Sequence, residues 1–325
     1  MSGLVDPFNR RIEYLRISVT DRCDLRCNYC IPKGFRGFHQ PPHWLRFDEI
    51  ERLVAVMASL GLKKVRLTGG EPLLRKGIAD LAARIDRIAG IEDVSISTNG
   101  TQLRTHASAL YAAGVRRINV SLDTLDRRRY ALVAGRDSLD DVLDGLACAR
   151  ELGFAPIKIN MVVTAETTRA EIDTLVTFCR ERDFVLRLIE VMPMGDTGRH
   201  ARFQDLQPIL RRLRRQFGLV DGVVHGGGPA RYLRSPDGRF SIGFITPLSQ
   251  HFCATCNRVR LAVDGTMYLC LGQEHCYAFR ELLRSGASDE ALADAVLAAI
   301  ALKPERHEFR EKPEKLVRFM NATGG

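Results

Sequence analysis

The chain has 325 residues, 45% of them hydrophobic, which suffices for one large core or for one core with an appended module. Its formal net charge of +9 favours anionic partners such as a nucleotide, a nucleic acid or an acidic protein. No apolar run is long enough to span a membrane, and residues 1–11 contain no apolar signal region, so we expect a cytoplasmic protein. Nine cysteines in such a protein indicate metal binding or catalysis more than disulfides.

Three of the cysteines lie close together near the N-terminus, at Cys23, Cys27 and Cys30. Thiolates are soft ligands, and three at this spacing suit an iron–sulfur cluster, zinc or copper(I). The spacing of four and then three residues also matches one face of a helix, which would make them core residues. Charged and polar side chains surround them: Asp21, Arg22, Asp24, Arg26 and Asn28. A core helix would carry more aliphatic residues there, so the pattern favours metal binding.

Between residues 15 and 191 the pattern alternates between β-rich runs and amphipathic stretches. The predicted strands are Leu15–Val19, Val65–Thr68, Val94–Ser97, Arg117–Ser121, Ile157–Val163 and Val185–Val191. The predicted helices between them are Asp48–Leu60, Gly77–Ile88, Thr105–Ala113, Ser138–Leu152 and Glu171–Arg182. Six strands alternating with helices predict a parallel α/β sheet, closed or partly closed as a barrel. Glycines and polar residues follow four strands, at the edge where such folds place their sites.

The alternation stops near residue 193, so we predict two domains, 1–192 and 193–325. The second part contains a basic helix at Phe203–Phe217, three strand-like runs and a helical tail, and we expect it to pack on the open end of the barrel. The arginines of the basic helix lack the interleaved aromatic residues that stack on bases, so we predict no nucleic-acid partner.

A second set of cysteines lies in this part, at Cys253, Cys256 and Cys270. Such spacing also occurs in structural zinc sites, with a fourth ligand supplied by Cys276, His251 or His275. Arg258 and Arg260 follow directly and share one face of a strand, where two arginines can bind one anion.

The first cysteine motif, with the aromatic Tyr29 before its third cysteine, resembles that of the radical S-adenosylmethionine (SAM) family. The resemblance implies a partial (βα)6 barrel and a [4Fe–4S] cluster on Cys23, Cys27 and Cys30, whose open iron binds SAM. One electron then cleaves SAM to methionine and a 5′-deoxyadenosyl radical. Together with the second motif and the final Gly324-Gly325, the chain from about residue 10 onward resembles the GTP-cyclising branch of that family. This implies a second [4Fe–4S] cluster on Cys253, Cys256 and Cys270 that binds guanine, with Cys276 as a bystander.

The resemblance also implies ligand contacts at matching positions. SAM would contact Tyr29, Gly70, Ser121 and Met192. GTP would contact Arg16, Arg66, Thr98, Lys158, Arg258, Val259 and Arg260. Composition alone predicts a frayed Gly-Gly end, whereas the resemblance implies that Gly324 and Gly325 reach into the barrel.

The activity that the resemblance implies is that of a lyase of molybdenum cofactor biosynthesis. It would convert GTP to 3′,8-cyclo-7,8-dihydroguanosine 5′-triphosphate. The resemblance further implies a reductant protein such as flavodoxin or ferredoxin and a downstream cyclic pyranopterin monophosphate synthase; it allows a homodimer and implies no membrane partner. Two other interpretations stay open: a radical SAM peptide maturase with an auxiliary cluster, and a basic zinc protein that binds nucleic acid.

Overall fold

The fold comes from a computed structural model that describes residues 3–224 and 227–324, and a sheet of twelve strands organises it. The strands are β1 (Tyr14–Ser18), β2 (Lys64–Thr68), β3 (Asp93–Thr98), β4 (Arg117–Ser121), β5 (Ile157–Val163), β6 (Val185–Glu190), β7 (Val220–Gly222), β8 (Arg231–Arg234), β9 (Ser241–Ile245), β10 (Arg258–Leu261), β11 (Thr266–Tyr268) and β12 (Cys276–Ala278). Their order across the sheet is β12, β11, β10, β1, β2, β3, β4, β5, β6, β9, β8 and β7.

Helices connect most of these strands and cover the outside of the sheet. They are α1 (Phe47–Ser59), α2 (Ile78–Asp86), α3 (Leu103–Ala112), α4 (Arg127–Ala134), α5 (Leu139–Glu151), α6 (Arg169–Glu181), α7 (Gly195–His200), α8 (Leu206–Gln216), α9 (Arg280–Arg284), α10 (Asp289–Ala301) and α11 (Met320–Thr323). Short 3-10 turns lie at Pro41–His43, Pro72–Leu74, Cys253–Thr255 and Pro313–Lys315.

The predicted barrel is confirmed. Strands β1 to β6 are neighbours in chain order, all pair in parallel, and alternate with helices. The sheet does not close, because its outer strands β12 and β7 each pair on one side only in the described part of the chain. The architecture is therefore a partial (βα)6 barrel of mixed α/β type.

The C-terminal part extends the sheet at both edges. Strand β10 pairs in parallel with β1, and β9 pairs in parallel with β6. We expected this part to pack on the open end of the barrel, and the structure adds that it continues the barrel sheet itself. The division at residue 192 stays a prediction, since the sheet crosses it.

Local sequence explains why the helices begin where they do. Thr168 accepts a hydrogen bond from the Glu171 N–H at 3.2 Å, and the Glu171 carboxylate accepts one from the Thr168 N–H at 2.8 Å, which forms a capping box at the start of α6. The core lies between helices and sheet and includes the fully buried Leu15, Leu53 and Leu67. Among the described helices, none combines the length and the apolar character needed to cross a bilayer.

Candidate active site

The first three cysteines lie in the loop that follows β1, and this loop crosses the end of β2. The Gly70 N–H donates to the Thr20 carbonyl at 2.7 Å, and the Glu71 N–H donates to the Arg22 carbonyl at 2.8 Å. A Cβ atom on Gly70 would lie 2.2 Å from the Arg22 carbonyl oxygen. Only glycine permits this approach, so Gly70 is held directly against the cysteine loop.

All three thiols of this first set are free and mostly buried. Burial raises the pKa of Cys23 and of Cys30 to about 12, and it raises that of Cys27 as well. Neighbouring thiols of the set add to the shifts of Cys23 and Cys27. An iron–sulfur cluster takes thiolates, so the positive charge of its iron must offset this effect of burial.

Polar residues at two strand ends support the first set. Asn99 donates through Nδ2 to Cys23 Sγ at 3.7 Å and to Asp24 Oδ1 at 2.7 Å. The Glu71 carboxylate accepts hydrogen bonds from the Asn99 N–H at 2.6 Å and from the Thr98 hydroxyl at 2.7 Å. Burial raises the pKa of Glu71 to about 7. The hydroxyl of Thr98, a residue predicted to contact GTP, is thus already engaged in a hydrogen bond to Glu71.

Tyr29, predicted to contact SAM, is fixed by an acid at the end of β4. Its hydroxyl donates to Asp123 Oδ2 at 2.7 Å, and the Val162 N–H donates to Asp123 Oδ1 at 2.8 Å. Burial raises the pKa of Asp123 to about 6. Ser121 lies two residues earlier, exposed at the end of the same strand.

The second set of cysteines lines a cavity that is partly open to solvent. Six other predicted ligand contacts line it too: Arg16, Arg66, Met192, Arg258, Val259 and Arg260. The lining includes neither Cys276, which is exposed on β12, nor His251 or His275. In residues 3–224 and 227–324, no three His, Cys, Asp or Glu side chains lie close enough to hold a single metal ion.

Charge distinguishes Cys256 from its two partners. Burial raises the pKa of Cys253 and of Cys270. Burial also acts to raise that of Cys256, but the charges of Lys303, Arg258 and Arg10, with a backbone hydrogen bond from Arg258, outweigh it and bring its pKa below the ordinary value. The second set therefore offers free thiols in a cationic setting, which fits a cluster of iron and sulfide.

Three arginines form a row across the floor of this cavity. Arg66 on β2, Arg16 on β1 and Arg260 on β10 are direct register partners in parallel strands. Such strands lie about 4.8 Å apart, so the side chains emerge next to one another on one side of the sheet. Burial and then Arg260 lower the pKa of Arg16, whereas burial and then Arg258 bring the pKa of Arg260 to about 10.

Within the described residues, Arg16 of the row and the adjacent Arg258 have unpaired donors. The Nε atoms of Arg16 and of Arg258 are buried without a hydrogen-bond partner in the part of the chain that the structure describes. Like charges in register are unfavourable, and unpaired buried donors are costly. The row is therefore suited to a polyanionic ligand, such as a triphosphate.

Sequence reasoning missed other polar residues of the cavity, among them Arg187 and Asn160. Arg187 on β6 donates to Asn160 Oδ1 at 2.8 Å and to Asn119 Oδ1 at 2.5 Å, and both Arg187 and Asn160 line the cavity. Burial lowers the pKa of Arg187 to about 10. The signal was a cation inside an apolar strand, the same signal that singled out Lys158.

Lys158 itself lies beside a neighbouring cavity that shares Gly228 with the first. Burial, and then Arg187, lower the pKa of Lys158 to about 7. Its predicted contact with GTP stays a prediction.

The C-terminal tail lies inside the barrel. Asn321 donates through Nδ2 to the Asp21 carbonyl at 2.8 Å, and Arg260 donates to the Gly324 carbonyl at 2.5 Å. A Cβ atom on Gly324 would lie 2.2 Å from Thr68 Cγ2. The tail thus connects the first cysteine loop with the arginine row. Gly325 lies outside the described residues, and the functional role of both glycines stays a prediction.

Comparisons with known proteins agree with this geometry. Residues 17–179 match the model of the Radical SAM superfamily, and residues 184–309 match that of Molybdenum Cofactor Synthesis C. The crystal structure of Streptococcus suis SuiB bound to S-adenosylmethionine has a similar fold, with a TM-score of 0.64 and 16% identity over 96% of this chain and 77% of that one. The chain therefore belongs to the radical SAM superfamily.

Full-length relatives narrow the assignment. The chain is 45% identical to GTP 3',8-cyclase 2 of Pseudomonas aeruginosa, over 100% of this chain and 99% of that protein. It is 42% identical to the GTP 3',8-cyclase of Marinobacter nauticus, over 99% and 98%, and 41% identical to that of Bradyrhizobium diazoefficiens, over 100% and 96%. Within the superfamily, the chain belongs to the GTP 3',8-cyclase family. This membership decides against the peptide maturase and the zinc protein.

Proposed function

We propose that the cavity binds GTP with its triphosphate on the arginine row and its guanine at the second cysteine set. The enzyme, a lyase, converts GTP to 3′,8-cyclo-7,8-dihydroguanosine 5′-triphosphate in molybdenum cofactor biosynthesis. The observation that carries the binding mode is the register of Arg66, Arg16 and Arg260, which places three buried cations side by side. A triphosphate supplies the anionic oxygens that neutralise them, and guanidinium groups bind such oxygens bidentately.

The two cysteine sets fit two [4Fe–4S] clusters, with Cys23, Cys27 and Cys30 holding one and Cys253, Cys256 and Cys270 the other. With both clusters and SAM bound, the site would gain one-electron reduction of SAM and the radical chemistry that joins ribose C3′ to guanine C8. The chain's own residues hold the substrate in place, since the arginine row fixes the triphosphate end. The buried walls and the tail keep water from reactive species.

The proposed SAM contacts are supported by their position around the first set. Gly70 touches the cysteine loop, Tyr29 is part of it, and Ser121 ends a strand next to Asp123. Met192 differs from these three, because it lines the cavity that would hold the substrate.

Further partners belong to the same proposal. A reductant protein such as flavodoxin or ferredoxin is supported by the chemistry, which consumes an electron, and by the net charge of +9, which attracts acidic proteins. A downstream cyclic pyranopterin monophosphate synthase would take the product. A cytoplasmic location and a homodimer are part of the proposal as well.

Separate loss of each cysteine set tests the assignment. Anaerobically reconstituted protein is incubated with GTP, SAM and a reductant, and iron, 5′-deoxyadenosine and product mass are measured on one preparation. Cys27→Ser should lose one cluster and all SAM cleavage. Cys256→Ser should lose one cluster and the cyclised product, while slow SAM cleavage persists. The proposal fails if Cys27→Ser still forms 5′-deoxyadenosine or if Cys256→Ser still cyclises GTP.

A further inference from the structure

A buried lysine contacts the second cysteine set. Lys303 follows α10 and is 3% exposed. Its Nζ donates to the Leu269 carbonyl at 2.5 Å and to the Arg258 carbonyl at 3.0 Å, and it lies 3.8 Å from Cys256 Sγ. An ammonium group has three N–H donors, so these contacts use all of them within the second set.

The contacts of Lys303 join two segments that are separate along the chain. Cys256 and Arg258 belong to the turn that begins β10, whereas Leu269 directly precedes Cys270. The lysine therefore fixes the distance between the segment that carries Cys256 and the segment that carries Cys270. Buried lysines are rare unless paired, and the sulfur of Cys256 is the acceptor here that can carry a full negative charge.

A second buried cation holds the same region without reaching a sulfur atom. Arg10 donates to the carbonyl of Cys253 at 2.8 Å and to the carbonyls of Glu305 and Pro304, each at 2.6 Å. Its Nε donates to Asp6 at 2.6 Å. Because Arg10 is paired with Asp6 and binds carbonyls rather than sulfur, it offers a comparison for Lys303, although its charge also lowers the pKa of Cys256 and acts on Cys253.

We propose that Lys303 is a positioning residue of the second set that also raises the reduction potential of the cluster held there. A positive hydrogen-bond donor beside a ligating sulfur stabilises the more negative, reduced cluster. Arg10 contacts the same loop without a hydrogen bond to sulfur, and its charge acts on Cys256 less strongly than that of Lys303. This inference rests on the proposed cluster at Cys253, Cys256 and Cys270.

The test isolates the second cluster. In a Cys27→Ser background, which lacks the first cluster, protein is reconstituted anaerobically and the midpoint potential is measured by a redox titration followed by electron paramagnetic resonance. Lys303→Met should lower the midpoint potential, and Lys303→Arg should restore most of the loss. Arg10→Met should lower cluster content, and it should shift the potential of the clusters that do form less than Lys303→Met does.

The outcomes separate this inference from the proposed function. A Cys27→Ser parent without any iron–sulfur signal would overturn the second cluster itself, and this inference with it. A parent potential retained in Lys303→Met, or an equal shift in Arg10→Met, would overturn the inference alone. Should Lys303→Met bind no cluster, Lys303→Gln, which keeps donors without charge, decides: a lowered potential supports the role of charge, and a parent potential refutes it.

Discussion

Among single residues, Cys276 is the cysteine that lies near the second set in sequence but outside its cavity. Its side chain is exposed on β12, where it pairs with Tyr268 across the sheet, whereas Cys270 lines the cavity. We expect Cys276→Ala to retain parent iron content and activity. Cys270→Ala should lose about half of the iron and all cyclised product, because three thiolates are the minimum for this cluster. Iron in Cys276→Ala at the level of one cluster would identify Cys276 as a ligand.

Lys158 provides a pH-dependent prediction. Its pKa near 7 leaves it mostly neutral at pH 8, and a bound triphosphate would favour the charged form. At pH 8, the binding of one GTP molecule should therefore be accompanied by the uptake of roughly one proton from solution. Calorimetry in two buffers of different ionisation enthalpy measures this uptake. Lys158→Met is the control, and equal uptake in that variant would refute the contact with GTP.

The sign of the stability effect follows from the same shift. The unfolded chain holds this proton up to the ordinary lysine value of 10.5, whereas the folded chain releases it near 7. Because the unfolded state binds more protons between these values, the contribution of Lys158 to stability rises with pH across that window.

Among the elements of the fold, the C-terminal tail packs tightly against the end of β2. Gly324 has a φ of +74°, and a Cβ atom there would lie 2.2 Å from Thr68 Cγ2. We predict that Gly324→Ala displaces the tail and lowers cyclised product by about tenfold or more while both clusters assemble, since a displaced positioning element costs on the order of 10²-fold in rate. Product mass and iron are measured together.

A matched glycine separates backbone strain from the clash. Gly286 has a similar φ of +78°, and nothing lies within 4 Å of a Cβ atom there. Gly286→Ala should therefore carry only the backbone cost of a left-handed conformation, roughly 1–2 kcal/mol, and keep its activity. Thr68→Ala should partly rescue Gly324→Ala. Equal activities of Gly324→Ala and Gly286→Ala would contradict a functional role of the tail and would support the frayed end that composition predicts.

The elements also show where sequence reasoning succeeds. The six barrel strands were predictable because each is a run of buried β-branched and aliphatic residues, as in Ile157–Val163. Strands β7, β8 and β12 have three or four residues with mostly exposed or half-buried side chains, so they carry too little pattern. Helix α4 was not predicted either, because it begins with three arginines and has a weak apolar pattern.

The candidate site also has a part that the sequence predicts and a part that it does not. The cysteines were predictable because cluster ligands lie at short, fixed spacings. The side chains that support them were not, because their position depends on strand register and on distant segments. Lys303, for example, reaches Cys256 from 47 residues away, and Asn99 reaches Cys23 from another strand.

At the scale of the whole molecule, the barrel depends on the C-terminal part. Strand β1 lies between β2 and β10, and β6 lies between β5 and β9. A fragment of residues 1–192 would expose both of these edges, and unpaired edges associate with other chains. We expect this fragment to be insoluble or to elute in the void volume, as seen by size-exclusion chromatography and circular dichroism. A monomeric fragment with a cooperative thermal transition would instead establish residues 1–192 as an independent domain.

The position of β10 beside β1 also orders events during synthesis. Ribosomes add about 5–20 residues per second, and β1 ends at Ser18 while its neighbour begins at Arg258. The first cysteine set therefore leaves the ribosome many seconds before the arginine row can be completed by Arg260. A chain that is released early keeps Arg16 and Arg66 but lacks Arg260 and the second cysteine set. Because the substrate site is built from both parts of the chain, a chain can turn GTP over only after β10 has been synthesised.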